Sequence, residues 1–243
     1  MNVMSLFGRP IKIIVTALVL LSSACKSNQT DDGPTVANTS RTRLEVLPTE
    51  DIDTPEEAFK ALQAGNERYE NGRFEHVHIK RVTGQPNEEP IPFVAILTCT
   101  DFKIPPEILF DLDKNNILLL QTAGNIADEN VLTAIQSSLE SKKLKLVLVL
   151  GHNNCGAIKK VLNNDKSPQL LKLSAQLAEA APANGTDTLP LIDRTAMNNI
   201  RLTVNGIASK NAKIDTLSKE GNLQIKGAFY SANSGKVIYD SSF

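Results

Sequence analysis

Apolar residues in this chain gather into short unbroken runs separated by amphipathic and polar stretches. PFVAILTC (92–99), NILLLQTA (116–123) and LKLVLVLGH (144–152) are runs of strand length, and continuous apolar runs of that kind read as strands buried on both faces. Between them, NVLTAIQSSLESKK (130–143) carries its apolar residues at helical spacing. KIPPEILFDL (103–112) reads as a loop and then a short helix, and AIKKVLNN (157–164) opens another. Upstream, Thr54-Pro55-Glu56-Glu57 is a helix start, with a capping threonine, proline at the first helical position and acids in the first turn. The helix continues through Ala58, Leu62 and Ala64, over Gly65-Asn66, to Glu67-Arg68-Tyr69. Near the end, GNLQIKGAFYSANSGKVIYD (221–240) predicts a strand, a turn at Asn233-Ser234-Gly235 and a second strand.

Strands alternating with helices predict an α/β fold, a mostly parallel central sheet flanked by helices. Sites in such folds lie beyond the carboxyl ends of the strands. Cys99 and His152 both fall there.

The first residues have a different pattern. Arg9 and Lys12 precede an apolar core from Ile13 to Leu21, followed by the small residues Ser22, Ser23 and Ala24 and then Cys25. That core is shorter than the roughly 20 residues needed to span a bilayer, and the layout is that of a secretory signal peptide. A cysteine at this point resembles the bacterial lipobox, with Leu21 one position earlier than usual; a plain signal peptide is the alternative. The expected organisation is a lipoprotein signal peptide over 1–24, lipidated Cys25 with a flexible tether over 25–53, and a globular domain over 54–243. Residues 26–54 are rich in Ser, Thr, Asn, Asp and Pro, as a tether is. The expected location is the bacterial cell envelope, lipid-anchored to a membrane and facing the periplasm or the exterior.

Composition narrows the chemistry. The 243 residues suit one full-sized domain plus an export segment. A net charge of −1 gives no hint of nucleic-acid binding, and with Trp absent and Tyr scarce no aromatic stacking platform is evident. The three cysteines cannot all pair. Cys99 and Cys155 could form one disulfide in an exported protein. They could instead join His152 as metal ligands, since two sulfurs and a nitrogen suit zinc and leave a fourth position for water or a carboxylate. Asp101, two residues after Cys99, is placed to be that carboxylate.

Several ordered motifs together resemble the β-class carbonic anhydrases. Cys99-Thr100-Asp101-Phe102-Lys103-Ile104-Pro105-Pro106-Glu107 is similar to the family's Cys-x-Asp-x-Arg-x-Pro-x-Glu, Ala123-Gly124-Asn125 to its Ala-Gly-Asn, and Gly151-His152-Asn153-Asn154-Cys155-Gly156-Ala157 to its Gly-His-x-x-Cys-Gly-Ala. The opening helix with Gly65-Asn66 and the last strand pair with Gly227-Ala228-Phe229-Tyr230 are also similar. The resemblance implies the β-carbonic anhydrase fold with an N-terminal helix arm, and one Zn2+ per chain on Cys99, His152 and Cys155. It implies reversible hydration of carbon dioxide to bicarbonate and a proton by a zinc-bound hydroxide. Asp101 would aim the hydroxide, the backbone after Gly156 would help place bicarbonate, and the chain would form a homodimer or higher homo-oligomer with its first helix crossing to a partner.

The chain departs from the family at several of these positions. Lys103 stands where the family has the arginine that clamps the aspartate; a lysine is a flexible point charge rather than a planar fork. Phe102 replaces a small serine, and Gln121 stands where arginine is common. Gly84-Gln85 resembles the pair whose glutamine binds substrate, but Pro86 to Ile91 lengthen the following gap. Two functional classes therefore remain: an active carbonic anhydrase, and a zinc-binding pseudoenzyme with Asp101 on the metal. Hydrolysis of a sulfur analogue of carbon dioxide is a third. His76 and His78 read as solvated surface histidines, with a proton shuttle as the functional alternative.

Overall fold

A computed structural model of the chain describes residues 52–76, 91–165, 167–180 and 189–239. Cys25, the expected export segment, most of the expected tether, His78 and Gln85 lie outside the described residues.

The elements follow the predicted alternation. Helix α1 (Pro55–Glu70) precedes β1 (Val94–Cys99), the short α2 (Pro106–Leu109) and β2 (Ile117–Thr122). Then come α3 (Glu129–Ser138), β3 (Leu146–His152), α4 (Gly156–Leu162), α5 (Leu171–Ala180), α6 (Leu191–Ser209) and α7 (Ala212–Lys219). Strands β4 (Gln224–Ser231) and β5 (Lys236–Ile238) close the domain. The five strands stand in the order β2-β1-β3-β4-β5, with every pairing parallel except β4 to β5. The chain steps from β1 outward to β2 and then returns to the other side of β1 for β3. The reversal falls between β1 and β3, where open α/β sheets place their ligands.

Side-chain alternation along the central strands builds two cores. Ala95, Leu97, Cys99, Val147 and Val149 face α3 to α7 and pack with Ile135, Ile158, Leu173, Ile200 and Ile214. Val94, Ile96, Leu146, Leu148 and Leu150 face the other way, against Leu62 of α1 and Leu109 and Phe110. Strands β1 and β3 are wholly buried, whereas β2, at the sheet edge, alternates with Leu119 exposed.

Helix α1 begins with the predicted cap. The Thr54 hydroxyl accepts the Glu57 N–H at 3.3 Å, and the Glu57 carboxylate accepts the Thr54 N–H at 2.9 Å. The helix is docked by Asn66, whose buried amide donates to the Leu109 carbonyl (3.3 Å) and accepts the Val237 N–H (2.9 Å). Its neighbour Gly65 sits on the carbonyl of Phe110.

His76 departs from expectation. Its ring is partly buried, 3.2 Å from the Arg68 guanidinium and 3.5 Å from the Asp111 carboxylate, and its backbone N–H donates to Asp111 at 3.0 Å. Asp111 is fully buried and paired to Arg68, so the loop after α1 folds down onto a buried charge instead of standing in solvent.

Candidate metal centre

Cys99 ends β1, His152 ends the adjacent β3, and Cys155 stands at the entry to α4. Thr98 is in register with Leu150, so the two strand ends finish side by side. The ligand-type atoms of Cys99, Asp101, His152 and Cys155 all lie within 4.8 Å of one another. The two sulfurs are 3.5 Å apart and both cysteines are free, so no disulfide joins them. Asp101 Oδ1 lies 2.9 Å from His152 Nε2 and 3.9 Å from the Cys155 sulfur. Its Oδ2 accepts the Gly156 N–H at 2.6 Å.

Local contacts aim these donors. His152 Nδ1 lies 3.0 Å from the carbonyl oxygen of Asn153. A carbonyl only accepts, so Nδ1 carries a hydrogen; the Asp101 carboxylate also only accepts, so without metal Nε2 donates to it as imidazolium, and a bound cation would take the place of that second proton. The Gly124 N–H donates to the Cys99 sulfur at 3.2 Å, and the Gly124 carbonyl accepts from Asn199 at 2.6 Å. The Ala-Gly-Asn segment thus steadies one sulfur from outside, with α6 behind it. Nothing in the local sequence pairs Asn199 with this loop; the tertiary fold does.

Charge is shared unevenly. The hydrogen bond from Cys155, aided by His152, outweighs burial and brings the Cys99 thiol down to about 5. That same bond and burial push the Cys155 thiol up. Burial works against the imidazolium of His152, but the Cys99 sulfur and the Asp101 carboxylate outweigh it and raise its pKa. Burial likewise opposes ionisation of Asp101, and the bonds to Cys99 and Gly156 together with His152 overcome it and lower its pKa. A carboxylate oxygen, an imidazole lone pair and a thiolate converging on one point need a proton or a cation between them.

The donor set fits zinc. Two zinc–sulfur bonds of about 2.3 Å at a tetrahedral angle set the sulfurs about 3.8 Å apart, close to the 3.5 Å found. Cys99, Cys155 and His152 are buried, whereas the Asp101 side chain is 35% exposed, so solvent reaches the cluster over Asp101.

The remaining expected site residues fall differently. Gly156 is in the cluster through its N–H. Lys103 is exposed, and among the described residues the partners of Asp101 are Cys99, His152, Cys155 and Gly156 rather than Lys103. Phe102 is nearly buried and packs its ring 5.5 Å from that of His152 and 5.4 Å from that of Tyr230. A cavity of about 660 Å³ between α3, α5 and α6, lined in part by Ile126, Leu132 and Lys172, contains none of the four donors.

A family model described as carbonic anhydrase matches residues 94–237. Carbonic anhydrase 2 of Mycobacterium tuberculosis is 27% identical over 191 residues, 76% of this chain and 92% of that protein. A carbonic anhydrase of Mycolicibacterium smegmatis is 34% identical over 111 residues, 45% of this chain and 53% of that one. Two tetrameric β-carbonic anhydrases are described from Sordaria macrospora, and that match has a TM-score of 0.54 at 21% identity, covering 62% of this chain and 81% of the other. The Coccomyxa β-carbonic anhydrase gives 0.53 at 20% identity, over 76% and 82% of the two chains.

Proposed function

The chain belongs to the carbonic anhydrase family of lyases, and from that membership we propose that it reversibly hydrates carbon dioxide to bicarbonate and a proton, with one zinc ion on Cys99, His152 and Cys155. The observation that carries this reading is the convergence of those three donors with Asp101 at the carboxyl ends of β1 and β3. Bound there, zinc would supply a water acidified to a pKa of about 7, a nucleophile at neutral pH. Cys99 and Cys155 bind as thiolates and His152 as neutral imidazole through Nε2. Asp101 is the movable member, being the exposed one. Turned inward it would fill the fourth position on a bound metal; turned toward solvent it would leave that position to water and offer a carboxylate oxygen as hydrogen-bond acceptor. The Gly156 N–H, which holds Asp101 Oδ2, is then free to donate to a substrate oxygen.

A second reading has a specific observation behind it. Lys103 makes no ion pair with Asp101, and among the described residues no lysine or arginine draws the carboxylate outward. A zinc protein held closed by Asp101 would bind metal and turn over nothing. Stopped-flow hydration of carbon dioxide by the full chain, with zinc measured on the same sample, separates the two. Turnover abolished by Cys155→Ser supports the enzyme. Full zinc occupancy without turnover from pH 6.5 to 9 supports the closed protein.

The signal-like N-terminus carries the rest of the reading: export to a bacterial envelope and tethering by a lipid on Cys25. Membrane fractionation of the wild type and Cys25→Ser in a bacterial host tests it, with release of the variant expected. A homodimer or larger homo-oligomer accompanies the family assignment, and light scattering measures it.

A further inference from the structure

We propose that Asp193 is a positioning residue for the metal centre, acting on His152 through the single peptide group that joins Asn153 to Asn154. This rests on the zinc reading given above. The carbonyl of that peptide group is the Asn153 oxygen, 3.0 Å from His152 Nδ1. Its N–H belongs to Asn154 and donates to Asp193 Oδ1 at 2.7 Å. Histidine and carboxylate therefore hold opposite ends of one planar unit, whose orientation cannot change at one end without changing at the other.

Metal-binding histidines commonly donate their second ring nitrogen to a carboxylate or a backbone carbonyl, which fixes the tautomer and raises ligand basicity. Here both groups occur in series. By accepting the Asn154 N–H the carboxylate polarises the peptide and strengthens its carbonyl as an acceptor for Nδ1–H, as hydrogen bonds in a chain reinforce one another. Nε2 stays turned toward Asp101 and the sulfurs, its lone pair free for a metal once its proton leaves.

The loop needs such a restraint. Only Asn153 and Asn154 separate the two ligands, and Asn154 has φ 55°, a left-handed conformation that costs free energy unless its surroundings hold it. Asn153 is fastened to β4 and the turn after it, donating its N–H to the Tyr230 carbonyl (3.2 Å) and accepting the Ala232 N–H on its side chain (3.0 Å). Asn154 is fastened by Asp193. That carboxylate sits in the first turn of the 19-residue α6, whose Ala196 and Ile200 are buried against the sheet, so its position is set by the core.

The test uses the full chain, its Asp193→Ala and Asp193→Asn variants, and three readouts. Zinc affinity is measured by chelator competition. Long-range proton–nitrogen NMR of the three histidines reads the His152 tautomer in the metal-free protein above the pH where its ring is charged. Thermal unfolding of the metal-free protein reports the fold. Asp193→Ala is expected to weaken zinc binding about ten- to a hundredfold, the usual cost of losing an outer-shell partner, and to move His152 toward a mixture of tautomers. Asp193→Asn, which keeps an oxygen acceptor, is expected to restore part of both. Equal zinc affinity and an unchanged His152 nitrogen spectrum in Asp193→Ala would overturn the proposal. So would weaker zinc binding with the tautomer unmoved and unfolding temperature lowered in proportion, which marks a merely structural loss. A wild-type chain that binds no zinc overturns the zinc reading itself, and the proposal with it.

Discussion

Asp101 Oδ2 accepts the Gly156 N–H at 2.6 Å, and a Cβ placed on Gly156 would lie 2.7 Å from that same oxygen. The carboxylate occupies the space a side chain would take, so the absence of a side chain at 156 and the orientation of Asp101 are one feature.

Gly156→Ala is therefore expected to displace the carboxylate rather than the backbone, because Asp101 is the flexible partner. The pose held by the Gly156 N–H is the one proposed to close the fourth position, so losing that bond to a charged group, worth about 1.5 kcal/mol or more, should raise carbon dioxide hydration about tenfold or more. Zinc content and unfolding temperature should stay near wild type. Stopped-flow rates beside a thermal melt check this; an equal loss of zinc and activity would contradict it.

Gly65→Ala should act on the fold. A Cβ there would meet the Phe110 carbonyl oxygen at 1.7 Å and its carbon at 2.5 Å. Both are backbone atoms, so α1 must lift. Alanine gains about 1 kcal/mol of helix propensity over glycine, but overpacking of this kind costs about 3 kcal/mol, and the clash wins. Urea unfolding should show a lower midpoint; an unchanged or higher one would mean α1 docks elsewhere.

The same contacts show what could be read from sequence and what could not. Strands β1 and β3 were legible because central parallel strands are buried on both faces and read as unbroken apolar runs. Their starts fell at Val94 and Leu146, two residues later than the apolar runs began. The run at β2 looked equally buried, yet Leu119 is exposed because β2 is an edge strand; edge position is a property of strand order, absent from any local pattern. Helices α5 to α7 went unread, although Ala196, Ile200, Val204 and Ile207 mark the buried face of α6 at helical spacing. In the site, Cys99, His152 and Cys155 were legible from ligand chemistry and strand ends. Asp193 and Asn199 were not, because each contacts the loops only after α6 packs against the sheet. His76 looked solvated because its partners, Arg68 and Asp111, lie 8 and 35 residues away.

Lys103→Ala should change turnover by less than about fivefold, the reach of an exposed ion pair worth at most about 1 kcal/mol. Its side chain is exposed and outside the Asp101 contacts. Parallel kcat and KM measurements decide, and a larger fall would restore Lys103 to the aspartate.

Zinc affinity should rise with pH in a stepped way. Bound zinc requires both thiolates and neutral imidazole. In the metal-free protein Cys99 is ionised above about 5 and Cys155, its pKa raised, stays protonated at neutrality. Above the raised His152 pKa, binding then expels one proton, and affinity gains about tenfold per pH unit. Below that pKa the imidazolium proton must leave too, and below about 5 the Cys99 proton as well, so the slope steepens toward acid. Chelator competition at five or six pH values measures it. A flat profile through neutrality would mean that Cys155 is already ionised.

The strand reversal that sets β1 beside β3 has a kinetic consequence. Cys99 and Cys155 are 56 residues apart, and everything from α2 to β3 must fold before they meet. In an unfolded chain the local pair His152 and Cys155 stands far from Cys99 and Asp101, two donors short of a tetrahedral site. Strong metal capture thus waits for non-local strand pairing, the slow part of folding for such topologies. In a population of folding molecules a metal bound at this site would favour native strand order over mispaired sheets.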